Sequence, residues 1–161
     1  MSTLRVDEIK DSTGASTGLT IDASGRVQKP QLVHFHGNRV GLTKAELGAN
    51  IDYNVVRDTN SGWNSTNKQY TIPINGVYQM SFTNIGQSSV DTSDQNHKMQ
   101  YVRGGSTVDI VWAYHTNDAQ HEQVGVSVTY YLQANDLIQM NNVSGVVYSS
   151  YYNTFSICLI G

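Results

Sequence analysis

The C-terminal stretch from Gly125 to Gly161 constrains the fold more than any other part of this sequence. Two β-strand patterns, Gly125–Leu132 and Asp136–Met140, are joined by a turn, and a third pattern runs from Thr154 to Gly161. The third pattern is apolar, and the sequence ends on it. An apolar strand has to leave water, so we expect the domain to enclose this last strand.

Composition and charge limit the class of protein. The sequence has 161 residues, of which 39% are hydrophobic and only 14% are charged, with 14 Gly and 10 Tyr. These numbers favour one all-β domain with a short extension. A net charge of −3 gives no field that would recruit nucleic acid or an anionic membrane. We expect no membrane insertion, because no apolar run is long enough to span a bilayer, and no signal peptide.

The alternation of apolar and polar residues places several strands. The single cysteine, Cys158, excludes an internal disulfide, and we expect it to be a small buried hydrophobe of the last strand. Gly104-Gly105 is typical of a hairpin turn, and only Thr43–Leu47 permits a helical turn. Three sets of residues are each expected to share a face: Tyr70, Ile72, Ile74, Tyr78, Met80 and Phe82; Val124, Val126, Val128, Tyr130 and Leu132; and Val108, Ile110, Trp112 and Tyr114.

Three motifs between Gln31 and Gly161 resemble the globular heads of complement C1q and tumour necrosis factor. They are the strand Ile72-Pro73-Ile74-Asn75-Gly76-Val77-Tyr78, the turn Asn135-Asp136, and the closing strand Phe155-Ser156-Ile157. The resemblance implies an all-β jelly-roll β-sandwich that assembles as a homotrimer. Ile157 stands where the family usually has glycine, which puts the residue-level transfer of the trimer interface in doubt.

The residues before Pro30 differ from the rest in pattern. Isolated apolar residues are separated there by Gly, Ser, Thr and Asp, so residues 1–30 cannot bury a core as a monomer. Met1-Ser2-Thr3-Leu4 and the later Leu19-Thr20-Ile21 resemble the N-termini of small virion proteins of tailed bacteriophages. The resemblance implies attachment to a particle. We therefore predict an extended N-terminal arm at 1–30 that binds other virion proteins, and a jelly-roll head at 31–161.

No catalytic motif occurs in the sequence. A nucleophile elbow, a phosphate-binding glycine loop and a His-Glu-x-x-His zinc motif are all absent. Carboxylates cluster in two polar loops, at Asp91, Asp94 and Asn96 and at Asp118 and Glu122. They can be compared with a glycosidase pair or a calcium loop, but solvated turn residues account for them better. We predict no enzyme and no cofactor.

His34 and His36 form a sharper pattern. Residues i and i+2 of a strand share a face, so both imidazoles project together. On a three-fold axis six imidazoles would converge and suit a transition metal. Two solvent-facing histidines are the simpler interpretation, and we predict no metal ligand.

The aromatic loops carry the remaining functional signal. Tyr148, Tyr151 and Tyr152 lie among Ser and Asn residues, a composition used by binding loops. Trp63, in a second polar loop, is expected to expose an indole. The alternative is that these aromatics pin the loops to the sandwich. We predict Trp63, Tyr148, Tyr151 and Tyr152 as ligand-binding residues.

Together these patterns predict a non-enzymatic trimeric virion surface protein of a tailed bacteriophage, made in the host cytoplasm. It would be a fibre tip, spike tip or head fibre that adheres to a host-surface glycan or protein. The alternative is a capsid decoration or cement protein with a purely structural role.

Overall fold

The computed structural model describes residues 8–10, 17–21, 23–25, 27–28, 32–42, 48–85, 94–116, 123–147 and 150–161. In these ranges all regular structure is β-strand, and no helix there could cross a bilayer. The chain divides into two compact units, Met1–Leu32 and Val33–Gly161. The division lies close to the predicted boundary at Pro30. The helical turn considered at Thr43–Leu47 lies outside the described residues.

The first unit is a small antiparallel sheet. Its strands are β1 (Glu8–Lys10), β2 (Thr17–Ile21) and β3 (Val27–Gln28), paired in the order β1-β2-β3. Gly25, in the turn before β3, has a φ of +77°, which glycine adopts without strain. The strands of the predicted arm therefore pair with each other.

The second unit is a sandwich of two five-stranded sheets, and every described strand pair in it is antiparallel. The first sheet has the order β11-β8-β13-β4-β5 and the second sheet the order β10-β9-β12-β7-β6, which confirms the predicted sandwich. The strands are β4 (His34–Asn38), β5 (Asn54–Asp58), β6 (Trp63–Asn64), β7 (Gln69–Thr71), β8 (Gly76–Ile85), β9 (Gln95–Arg103), β10 (Ser106–His115), β11 (Gln123–Leu132), β12 (Leu137–Ser144) and β13 (Thr154–Leu159).

The last strand, β13, lies in the middle of the first sheet. It pairs with β8 on one edge and β4 on the other, so its enclosure is confirmed. Phe155 and Ile157 are fully buried. The Phe155 ring lies 5.5 Å from the Tyr53 ring and 5.7 Å from the Phe35 ring, measured between centroids. Phe155 thus packs in the core against β4 and against the residue that precedes β5.

Cys158 is not the buried hydrophobe that the sequence predicted. Because Phe155 and Ile157 face the core, alternation turns Cys158 to the opposite face. It lies half-buried on the outer face of the first sheet, opposite His34 on β4.

The set of residues predicted to share a face from Tyr70 to Phe82 is interrupted where the chain passes from β7 in the second sheet to β8 in the first sheet. Tyr70 and Ile72 are buried at the end of the second sheet, and Tyr78 begins the buried face of the first. Ile74 lies in the crossing and is exposed, which corrects the prediction. At Gly76 a Cβ atom would lie 2.5 Å from Leu159 Cδ1 and 2.8 Å from the Gly161 oxygen, so only glycine fits against the C-terminus.

A β-bulge corrects the prediction for β10. The hairpin at Gly104-Gly105 is confirmed, but the register with β9 shifts between Asp109 and Val111. The extra residue reverses the alternation, so Val111 and Ala113 turn towards the core. Trp112 and Tyr114, predicted to share a face with Val108 and Ile110, are instead exposed.

One end of the sandwich contains a buried polar layer that the sequence did not predict. The Tyr53 hydroxyl donates to Asn84 Oδ1 at 3.3 Å, and Asn142 Nδ2 donates to the Gly145 oxygen at 3.0 Å. The fully or almost fully buried polar residues of this layer are Arg39, Asn84, Gln95, His97, Asn142 and Asn153. They lie at the end of β8, the start of β9 and the end of β12, and immediately after β4 and before β13.

The opposite end is fixed by an ion pair in the turn before β12. Arg103 donates from Nε and Nη2 to the two carboxylate oxygens of Asp136, at 2.7 and 2.6 Å. Burial alone would raise the pKa of Asp136, but the hydrogen bonds from Arg103 and from the Gln133 N–H lower it. Asn135, in the same turn, has a φ of +72°, a backbone conformation that Asn tolerates better than most other residues.

We predict that Phe155→Ala destabilises the protein by about 3–5 kcal/mol, because it opens a cavity among packed aromatic rings. Urea denaturation at fixed protein concentration measures this. Tyr152→Ala is the control, since its ring is exposed and surface changes usually stay within about 0.5 kcal/mol. A loss no larger than the control's would contradict the packing described here.

We also predict that His97 lowers the stability of the folded protein as the pH falls from 7 to 4. Burial lowers its pKa to about 4, partly offset by the Asn142 side chain. Between about pH 6.5 and pH 4 this histidine therefore binds a proton in the unfolded chain but not in the folded chain. The free energy of unfolding falls by about 3 kcal/mol as the pH drops to 4. Denaturation between pH 7 and 4 should show a shallower pH dependence for His97→Gln. Equal slopes for both proteins would contradict the prediction.

Candidate functional site

Trp63 does not expose its indole, and that prediction was wrong. Its ring stacks on Phe35 with centroids 5.1 Å apart and an interplanar angle of 22°. The ring also contacts Tyr53 and Phe155 edge-on, and the indole nitrogen is buried. Trp63 therefore packs against the core from the short strand β6, and Phe35 occupies one face of its ring.

Tyr151 and Tyr152 form an exposed aromatic pair on the turn between β12 and β13. The two side chains are 61% and 57% exposed. Their ring centroids lie 4.3 Å apart, and the Tyr151 hydroxyl donates to the Tyr152 hydroxyl at 3.1 Å. That hydrogen bond raises the pKa of Tyr151, so its phenol stays neutral. The third predicted tyrosine, Tyr148, lies outside the described residues.

Hydrogen bonds hold the turn that carries this pair. The Tyr152 N–H donates to Ser150 Oγ at 3.1 Å, and the Asn153 N–H donates to the Ser150 oxygen at 3.2 Å. The buried Asn153 side chain accepts from the N–H of Ile85, at the end of β8. The backbone beside the pair is thus hydrogen-bonded to Ser150 and, through Asn153, to the end of β8.

Trp112 and Tyr114 form a second exposed aromatic surface, on the outer face of the second sheet. They are 53% and 57% exposed. The Tyr114 hydroxyl donates to Asp94 Oδ2, and the Trp112 Nε1–H donates to Asp109 Oδ2 at 2.9 Å. Sequence alternation alone missed this surface, because the bulge that exposes Trp112 inserts a single residue into an otherwise alternating strand.

His34 and His36 project from the outer face of the first sheet. His36 Nδ1 and Ser156 Oγ are hydrogen-bonded at 2.7 Å. Burial, the Arg57 charge and the neighbouring His36 lower the pKa of His34. Over the part of the chain that the structure describes, no group of three or more His, Cys, Asp or Glu residues could hold a metal ion.

The acidic residues considered for catalysis do not form a described pair. Asp94 accepts the Tyr114 hydroxyl, whereas Asp91, Asp118 and Glu122 lie outside the described residues. Asn96 is on β9, inside a strand of the second sheet.

Comparison with solved structures identifies the fold of the head. The chain resembles Eiger TNF from S. frugiperda, with a TM-score of 0.68 at 10% sequence identity over 81% of this chain and 93% of that one. It also resembles murine APRIL, with a TM-score of 0.64 at 9% identity over 81% and 100% of the two chains. The globular domain of the zebrafish complement 1qA protein gives a TM-score of 0.63 at 14% identity over 80% and 98%.

No protein-family model and no curated protein sequence matches the chain. The structural likeness confirms the resemblance found from the sequence at the level of the fold. The head has the jelly-roll fold of the tumour necrosis factor and complement C1q globular domains.

Proposed function

We propose that this chain is a non-enzymatic homotrimeric surface protein of a tailed-bacteriophage virion, a fibre tip, spike tip or head fibre. In this proposal the residues before Pro30 join the particle and the head adheres to the host surface. The protein is made in the host cytoplasm and acts on the virion. The proposal is supported by the resemblance of residues 1–30 to virion proteins, by the fold of the head, and by its exposed aromatic surfaces.

The trimer part of the proposal depends on one observation. The four adjacent strands β11, β8, β13 and β4 of the first sheet contain no Asp, Glu, Lys or Arg. The fifth strand of this sheet, β5, carries Arg57 and Asp58 at one edge, and the second sheet carries Lys98, Arg103 and Asp109 on its longer strands. Depletion of charge is what separates the centre of a protein interface from ordinary surface. The outer face of the first sheet therefore fits contact with further copies of the chain.

The side chains of this face favour close approach. One row across it consists of Ser127, Ser81, Ser156 and His36, paired strand by strand. Exposed apolar residues stand on strands at its two edges, Tyr131 on β11 and Val55 and Val56 on β5. An interface between two different edges is head-to-tail, and such an interface closes into a ring when the rotation between neighbouring copies brings the last copy back to the first. Three copies are the number that the fold resemblance implies.

Adhesion follows from the symmetry of such an assembly. Each head would present one Tyr151–Tyr152 pair, and each particle many heads. Linked weak contacts raise the overall affinity without any new contact. We also propose that the head has no catalytic activity, since an adhesive jelly roll needs none.

A capsid decoration or cement protein is the second candidate. It is supported by the separate N-terminal unit, whose three paired strands could clamp neighbouring capsid subunits. In that case the exposed tyrosines would have no external ligand.

We predict that Ser81→Glu dissociates the assembly. Ser81 lies in the middle of the uncharged face, so three carboxylates would be desolvated together. Thr107→Glu, at an exposed position of the second sheet, is the matched control. Light scattering should give a mass of three chains for the control and a smaller mass for Ser81→Glu. A folded monomer for the unaltered protein would refute the trimer.

We predict that removing the arm and replacing the tyrosine pair affect different steps, the first particle assembly and the second adsorption to host cells. Removing residues 1–29 should leave a trimer that no longer joins particles. Tyr151→Ala with Tyr152→Ala should leave particle assembly intact and weaken adsorption to host cells, because exposed aromatic anchors dominate such contacts. Phage decoration and adsorption assays measure both. If the tyrosine variant instead fails to decorate particles and adsorption is unchanged, the cement function replaces adhesion.

A further inference from the structure

The outer face of the second sheet carries a chain of side-chain hydrogen bonds that crosses four adjacent strands. Gln100 Nε2 donates to Asp109 Oδ1 at 2.7 Å, Gln139 Nε2 donates to Gln100 Oε1 at 2.9 Å, and Gln69 Nε2 donates to Gln139 Oε1 at 2.6 Å. These residues lie on β10, β9, β12 and β7 in spatial order. Neighbouring strands are about 4.8 Å apart, so the chain extends over about 14 Å. We call it the amide ladder.

An aromatic platform stands at one end of the amide ladder. The Lys98 ammonium lies 3.9 Å from the centroid of the Trp112 ring and 2.9 Å from Asp109 Oδ2. The Trp112 Nε1–H donates to the same oxygen at 2.9 Å. The Lys98 ammonium thus lies over the indole ring, and the Asp109 carboxylate binds the indole nitrogen. Trp112 nevertheless remains 53% exposed to solvent.

The amide ladder retains free hydrogen-bonding capacity. A glutamine amide has two N–H donors and an acceptor oxygen, and a carboxylate accepts at about four sites. Gln100 uses one donor and one acceptor position in the ladder, and Asp109 accepts three bonds. Gln139 is almost buried and accepts from both Gln69 and Asn50, so it orients its neighbours. Gln69, Gln100 and Asp109 can therefore still bond a ligand.

The paired charges of this surface favour a ligand without net charge. Lys98 and Asp109 neutralise each other, and the hydrogen bonds from Gln100, Lys98 and Trp112 lower the pKa of Asp109 to about 2. The carboxylate is then charged at any physiological pH. Single-stranded nucleic acid would need a basic groove beside its stacking platform, and the net charge of the chain is −3. A neutral ligand with a flat apolar ring face and many hydroxyl groups matches the surface better.

We propose that Trp112 and the amide ladder form a binding site for a neutral oligosaccharide, with one sugar ring stacked on the indole and its neighbours hydrogen-bonded along the ladder. The proposal rests on adhesion as the proposed function, and it names the ligand class and a site other than the Tyr151–Tyr152 pair. A hydroxyl group both donates and accepts, as each ladder amide does. The length of the ladder fits several linked rings rather than one.

Calorimetric titration of the full-length protein tests this proposal. The probes are neutral oligomers of glucose, mannose, galactose and N-acetylglucosamine, with an oligogalacturonate as the acidic comparison. We expect saturable binding of at least one neutral oligomer. Trp112→Ala should weaken it by about tenfold or more, because a stacking contact is lost, while Trp112→Phe should keep part of it. Gln100→Ala should also weaken it.

Two control variants show whether binding belongs to this surface. Thr107→Ala, on the same strand but outside the ladder, should bind as the unaltered protein does. Tyr151→Ala with Tyr152→Ala should also bind normally, whatever that variant does to adsorption, so failure of the adhesion proposal and failure of this one are distinguishable. Thermal melting checks that each variant is folded. Binding of none of the neutral oligomers, binding of the acidic one alone, or undiminished binding by folded Trp112→Ala would overturn the proposal.

Discussion

The architecture depends on the position of the last strand in the middle of the first sheet. β13 pairs along both edges, so β8 and β4 are joined only through it. Its inward residues, Phe155 and Ile157, complete the core, and its outward residues contribute to the uncharged face. This pairing is non-local, because β4 and β13 stand near opposite ends of the head sequence. Non-local strand pairing of this kind slows folding, since the loop entropy has to be overcome first. The same strand therefore fixes the core, the face proposed for assembly and the base of the tyrosine turn.

The two sheets differ in chemistry on their outer faces, and this difference organises the proposed function. Strands β11, β8, β13 and β4 of the first sheet offer small, uncharged side chains such as Ser81 and Ser156, which favour close approach of another protein surface. The second sheet offers Lys98, Asp109 and the amide ladder. These groups bind one another, and the amides and the carboxylate still have donor and acceptor positions for a ligand. A surface of the second kind loses more by burial against protein, because its charged groups would be desolvated. We infer that one sheet faces the other copies and the other faces the environment.

The sequence predicted those parts of the fold in which local pattern and tertiary packing agree. Regular alternation located β8, β11 and β13. The Asn135-Asp136 turn was found through the family resemblance, and Asn135 has a positive φ there. The candidate sites were harder, because each depends on one residue of register. The bulge in β10 exposes Trp112 by inserting a single residue. Trp63 lies in a polar stretch of sequence and was expected in a loop, yet it is on the short strand β6 and its ring stacks on Phe35 of β4. The buried polar layer around His97 was missed because polar residues predict exposure unless their partners are known.

Hydroxyl-radical footprinting of the native full-length protein tests the central claim most directly, because histidine, cysteine, tyrosine and tryptophan all react when water reaches them. We expect Trp112 and Tyr114, on the second sheet, to be oxidised at the rate of exposed side chains. His36 and Cys158, on the first sheet, should be protected in the assembly and become reactive in the Ser81→Glu variant. Rapid oxidation of His36 and Cys158 in the native protein, or protection of Trp112 and Tyr114 instead, would contradict the assignment of the two sheets.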